Sequence, residues 1–204
     1  MIKKFTILLV GFIALTSCGG KKGPDTTTDQ DVILNPENAT IGQLDQIIEK
    51  EPENPRNYYY RGLRLADAED FTSAIVDFDK SISIDSTKSF VWFNRGAAKL
   101  SLDDFKGALV DFDKAIALDP NYVDAYFNRG ALFDAMEDPE AANKEYSKVI
   151  ELDPKYVDAV YNRGVNYFYL NKKDKACEDF KTAADLGDED GKNSYQKYCI
   201  EKTK

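Results

Sequence analysis

The sequence returns to one four-residue phrase on a fixed step. It reads Tyr59-Tyr60-Arg61-Gly62, Phe93-Asn94-Arg95-Gly96, Phe127-Asn128-Arg129-Gly130 and Tyr161-Asn162-Arg163-Gly164, with 34 residues between successive glycines. Twelve residues after each Gly stands an alanine: Ala74, Ala108, Ala142, Ala176. Four residues further comes an aromatic: Phe78, Phe112, Tyr146, Phe180. A period of this length marks a helix-turn-helix unit that cannot bury its apolar face alone, so neighbouring units must stack. Aligned on the glycines, the units are 55–88, 89–122, 123–156 and 157–190. Gly and Ala at facing positions let two antiparallel helices approach closely, and the aromatic fills the space beside them. Asp70, Asp104 and Asp138 are placed to cap the second helices. Pro139 follows at a first helical position, where its missing N–H does no harm.

Two units close on "LDP", at Leu118–Pro120 and Leu152–Pro154. With the recurring Gly, Ala and aromatic, this pattern resembles the tetratricopeptide repeat family over residues 55–190. The resemblance implies an all-α, right-handed solenoid of four repeats. An extra helix is expected over 38–54, where Thr40 and Gln43 form a capping-box pair and Leu44, Ile47 and Ile48 share one face. A capping helix is expected over 191–204, presenting Tyr195, Tyr198 and Cys199, because a bare end would expose a hydrophobic helix pair.

The arginine column departs from the family, which has a Leu-like residue there. Sixteen residues after Arg61, Arg95, Arg129 and Arg163 stand Asp77, Asp111, Glu145 and Asp179. In a hairpin turning near the fifteenth position these sites lie level, so an Arg–carboxylate pair is expected inside every repeat. The alternative is an arginine that snorkels to solvent. The paired acids at Asp77/Asp79 and Asp111/Asp113 lie mid-helix rather than in a looped calcium motif, and are read as solvated or as arginine partners.

In the family, the fifth and sixth positions of the first helix line the concave face. That mapping makes Tyr59, Phe93, Phe127 and Tyr161, with Tyr60, Asn94, Asn128 and Asn162, a candidate peptide groove. Asn can donate and accept along an extended backbone, and aromatics supply flat area. The alternative is that these residues are packing. The family's chaperone-tail clamp needs basic residues at the second, fifth and sixth positions; here the second positions are Arg56, Phe90, Asp124 and Asp158, so only Arg56 fits. Acids in the later repeats point to a neutral or basic ligand.

The start of the chain has a separate logic. Lys3 and Lys4 precede an eleven-residue apolar run, Phe5–Leu15, too short for a span of about 20 residues. Leu15-Thr16-Ser17-Cys18 resembles a bacterial lipoprotein signal. That implies a signal peptide over 1–17, a lipid-bearing Cys18 and an envelope location, with the outer membrane facing the periplasm favoured by Gly19. Gly19–Asp31 has no apolar residue and reads as a tether, assigned to 18–37 with the lipidated Cys. The chain carries 27 basic and 36 acidic residues and no histidine. Such a balance argues against nucleic acid, and the missing imidazole removes the usual general base and commonest metal ligand. No cofactor or metal is expected. With Cys18 taken by lipid, Cys177 and Cys199 remain, and spacing brings them level across the last hairpin; a disulfide or two buried thiols would both fit. The chain therefore reads as a membrane-anchored protein- or peptide-binding scaffold rather than an enzyme. A self-associating structural protein is the alternative, and an enzyme using paired carboxylates a remoter one.

Overall fold

The computed structural model describes residues 35–200. The signal peptide, Cys18 and residues 18–34 of the tether lie outside the described residues, as do 201–204 of the expected terminal helix. Every regular element among the described residues is helical. The chain divides into two compact units, Met1–Ile84 and Asp85–Lys204.

The first unit starts with a single 3-10 turn at Pro36–Asn38, followed by α1 (Ile41–Lys50), α2 (Pro55–Asp67) and α3 (Phe71–Ile84). Residues 35–37, grouped with the tether on sequence grounds, are therefore ordered against α2. Asn35 Oδ1 accepts from the Glu37 N–H at 3.1 Å, which closes the turn. α1 carries the full capping box: the Gln43 N–H donates to Thr40 Oγ1 and the Thr40 N–H donates to Gln43 Oε1 at 2.9 Å. Its Leu44 is completely buried. α2 and α3 form the first repeat hairpin. A Cβ on Gly62 would meet the Phe78 ring at 2.7 Å, so the glycine column exists because an aromatic of the facing helix lies against it.

The second unit holds three more hairpins, α4 (Ser89–Ser101) with α5 (Phe105–Leu118), α6 (Val123–Ala135) with α7 (Pro139–Leu152), and α8 (Val157–Tyr169) with α9 (Lys173–Asp185). The terminal cap, α10 (Glu189–Tyr195), begins two residues before the expected boundary and runs into a π-helical turn at Gln196–Ile200. Asp188 sets that start, because its Oδ2 accepts the Gly191 N–H at 2.6 Å. Core clusters bridge successive hairpins: Leu100, Ala108 and Phe112 pack with Leu132 of the next repeat, and Phe127, Tyr146 and Val149 pack with Ala159.

Each turn inside a repeat passes through a left-handed residue: Glu69 (φ 61°), Asp103 (59°), Glu137 (60°) and Asn171 (58°). No glycine marks these positions. The conformation costs a non-glycine residue about 1 kcal/mol. Asp70, Asp104 and Asp138 follow at once and cap the second helices, accepting N–H groups at 3.0–3.1 Å.

One buried side chain has neither of its polar atoms satisfied. Asn143, 7% exposed, has no partner for Oδ1 or Nδ2. It stands in a column otherwise filled by Ile75, Leu109 and Cys177. Burying a polar group without partners costs about 1–3 kcal/mol. Asn143→Leu is therefore expected to raise the denaturant midpoint, by about 1–2 kcal/mol of stability once added volume is absorbed. A lower midpoint would mean that the site is too tight for the exchange.

Candidate functional site

The arginine column determines what else the first helices can present. Arg61 Nε and Nη2 donate to Asp77, both at 2.7 Å. Arg95 reaches Asp111 at 2.9 and 2.6 Å, Arg129 reaches Glu145 at 3.1 and 2.7 Å, and Arg163 reaches Asp179 at 2.9 and 2.8 Å. The guanidinium forks are thus turned into the hairpins. Each remaining Nη1 that can be followed within a unit goes to the preceding second helix, sixteen residues back. Arg61 donates to Asp45 at 2.7 Å, Arg129 to Asp113 at 2.6 Å and Arg163 to Ser147 Oγ at 3.0 Å. The arginines therefore tie repeat to repeat, and this second set of partners was missed in the sequence. The signal was present in the acids two residues apart: Asp111 serves Arg95 of its own hairpin, while Asp113 serves Arg129 of the next.

Of the aromatics expected to line a groove, Phe127 is packing instead. Phe127 is only 3% exposed, held between the rings of Tyr146 (5.6 Å) and Tyr156 (4.9 Å). It cannot offer a face to a ligand. Phe93 lies 6.0 Å from Phe112 and 4.9 Å from Tyr122, Tyr161 lies 5.9 Å from Phe180, and Tyr59 lies 6.2 Å from Phe78. All three are half-buried. The physical reason is the glycine three residues on: its missing side chain pulls the second-helix aromatic close, and the fifth-position ring stacks on it.

The sixth-position residues are half-buried as well. Asn94 Nδ2 donates to the Phe90 carbonyl at 2.7 Å and Asn128 Nδ2 to the Asp124 carbonyl at 3.0 Å. Among the described residues the Asn128 Oδ1 acceptor takes no hydrogen bond. Asn162 lies within hydrogen-bond reach of Tyr146. Tyr60 is different, donating its hydroxyl to Glu37 at 2.7 Å.

In the second unit these polar residues lie along a stripe of acids. Asp124 and Asn128 on α6, and Asp158, Asn162 and Asn166 on α8, are spaced by four and so share one face of each helix. Tyr156 donates to Asp124 at 3.5 Å. Burial raises the Asp124 and Asp188 carboxyls above the ordinary range, and no lysine or arginine among the described residues pairs with either. Asp158 lies close enough to Asp188 and Tyr156 to push their protonation upward as well.

Asp134 is the member that sequence reasoning overlooked. It stands in a column of Ala66, Leu100 and Phe168, and that departure is the signal. Its Oδ2 accepts the Tyr146 hydroxyl at 2.5 Å and its Oδ1 accepts Asn166 Nδ2 at 2.6 Å. Burial pushes its carboxyl up to about 6, against the two hydrogen bonds that pull it down. A folded-state pKa above the unfolded value of 3.8 means the folded chain holds the extra proton between these values. Stability from this group is therefore highest below about pH 4 and falls until about pH 6. Asp134→Asn should be nearly neutral at pH 4 and stabilising by about 2 kcal/mol at pH 7.5. Denaturant midpoints of both proteins at the two pH values check it; a difference that does not change with pH contradicts it.

The described residues thus form all-α helix pairs whose arginines are structural, and in the second unit Asp124 and Asp158 of the first helices have no cation partner among the described residues. Comparison with known families identifies the repeat. A TPR repeat profile matches residues 96–137, and a tetratricopeptide repeat profile matches 123–156 and 157–186. Residues 96–186 therefore match tetratricopeptide repeats. It is similar to the crystal structure of MamA, at 26% identity over 74% of this chain and 89% of that one, with a TM-score of 0.70. It is also similar to YrrB, described as a TPR protein with an unusual peptide-binding site, at 26% identity over 73% and 77% with a TM-score of 0.64. The first TPR of Spaghetti (RPAP3), bound to the HSP90 peptide SRMEEVD, matches at 27% identity over 58% and 94% with a TM-score of 0.56. No curated protein matches the chain.

Proposed function

We propose that this protein is a non-enzymatic scaffold that binds extended protein segments, held at the bacterial envelope by lipid on Cys18. Peptide binding by YrrB and by the Spaghetti repeat supports the scaffold reading. The observation that carries the ligand's chemistry is the pair Asp124 and Asp158, both beside Tyr156 and with no lysine or arginine paired to either among the described residues. A ligand bearing lysine or arginine would supply the missing charge, and its N–H groups would meet acceptors such as Asn128 Oδ1. The test uses the full-length protein with two synthetic nonapeptides, one lysine-rich and one glutamate-rich. The lysine-rich peptide should bind at least about tenfold more tightly, equivalent to about 1.4 kcal/mol. Asp124→Asn combined with Asp158→Asn should remove most of that preference. Equal binding, or preference for the acidic peptide, would overturn the ligand assignment. For the anchor, Cys18→Ala should move the protein out of the membrane fraction, and unchanged fractionation would refute lipidation there.

A further inference from the structure

The first repeat differs from the others in the same sequence columns. Arg56 stands in the column of Phe90, Asp124 and Asp158, and Arg64 in that of Ala98, Leu132 and Asn166. With Tyr60 between them, they are spaced by four and form one stripe along α2. In an acidic chain, this is where two cations are gathered without a structural partner column. The stripe is occupied by the chain's own segment. Glu37 Oε1 accepts from Arg56 Nη2 at 2.9 Å and from the Tyr60 hydroxyl at 2.7 Å. Arg64 Nη2 donates to the Glu37 carbonyl at 2.6 Å, and its Nε donates to the Ala39 carbonyl at 3.3 Å. Arg64 also touches Asp67 at 3.3 Å.

These contacts are those of a receptor holding a peptide. One carboxylate is gripped by a cation and a hydroxyl, and two backbone carbonyls are gripped by a second cation. Nothing in them depends on residues 35–39 being joined to α1. Most of the segment is polar and exposed, Glu37 retaining 46% of its side-chain surface; only Ala39 is buried. An exposed ion pair of this kind contributes little to stability, about 0–1 kcal/mol, which leaves the segment displaceable.

We propose that Arg56, Tyr60 and Arg64 form a binding site for an acidic, extended peptide segment, and that Asn35–Ala39 is its resident, displaceable occupant. The site lies within the first unit and selects the ligand charge opposite to that proposed for the acidic stripe of the second unit. A partner bearing a carboxylate competes with Glu37 for Arg56 and Tyr60. Displacement returns about five residues to the chain ahead of α1, lengthening that link by roughly 15 Å. Binding at this site thereby changes the reach of everything N-terminal to it.

The test uses full-length protein and a fluorescent synthetic peptide of residues 34–39, LNPENA. The linked copy competes at an effective concentration of about millimolar, so the native chain should bind the peptide weakly. Two variants weaken the occupant's hold: Glu37→Ala, which removes the carboxylate held by Arg56 and Tyr60, and replacement of residues 35–38 by Gly and Ser. Both should bind the peptide at least about tenfold more tightly than the native chain. Adding Arg56→Ala, or giving the peptide its own Glu37→Gln change, should abolish the gain. If neither emptied chain binds better than the native one, the proposal fails, and a lowered melting temperature in that case makes the segment a structural brace. A gain that survives Arg56→Ala overturns it too.

Discussion

Arg129→Ala should be among the most damaging single substitutions in this protein. The side chain is 17% exposed and holds two acids, Glu145 of its own hairpin and Asp113 of the preceding one. Its removal strands a Glu145 carboxylate whose side chain is 14% exposed and cuts one tie between adjacent repeats. Breaking one partner of a largely buried pair costs about 3–5 kcal/mol. The double variant Arg129→Ala, Glu145→Ala should cost much less than the sum of the singles, because neither charge is then left alone. Asp113→Ala should cost under about 1 kcal/mol, since that partner is exposed. Urea midpoints of the four proteins measure all of this. Simple additivity between Arg129 and Glu145 would show that the pair is not the unit of stability.

Loss of the Cys177–Cys199 bond has the second largest expected effect. The two residues are joined, with Cα atoms 5.7 Å apart and a separation of 22 positions in sequence. Closing a loop of that size removes unfolded-state freedom worth about 3 kcal/mol. Cys177→Ser with Cys199→Ser should lower stability by about that amount, and reducing the native protein should give the same midpoint. The loss should also be local. Apart from this bond, the terminal helix is held by contacts such as Tyr198 against Phe168, 4.6 Å between ring centres. Amide exchange in α10 should therefore accelerate far more than in α6. Identical midpoints with and without reductant would leave the bond no part in stability.

Helix pairs were legible in the sequence because their causes are local or recur in phase. A glycine that admits an aromatic, an aspartate that caps a helix and a proline that ends one each act within a few residues, and four copies make the pattern unmistakable. The Arg61–Asp77 type of pairing was readable for the same reason, since a hairpin of known length places two positions level. What could not be read was rotation. Successive residues on a helix are about 100° apart, so the fifth and sixth positions are neighbours on the boundary between core and surface. Tertiary packing buried Phe127 and left Asn128 half-buried, where the sequence reading had both in a groove. The polar intruders in apolar columns show the same division. Asp134 and Asn166 found each other across α6 and α8, whereas Asn143 found no partner, and no column pattern distinguishes the two outcomes. Asn35–Ala39 is the extreme case: residues 35–37 were grouped with the tether and 38–39 with the first helix, and only α2's arginines give the segment its place. The sequence by itself determined which residues recur and therefore which helices form and pair. Only the tertiary structure decided which side chains meet between repeats, because those meetings depend on helix rotation and on neighbours more than a dozen residues away.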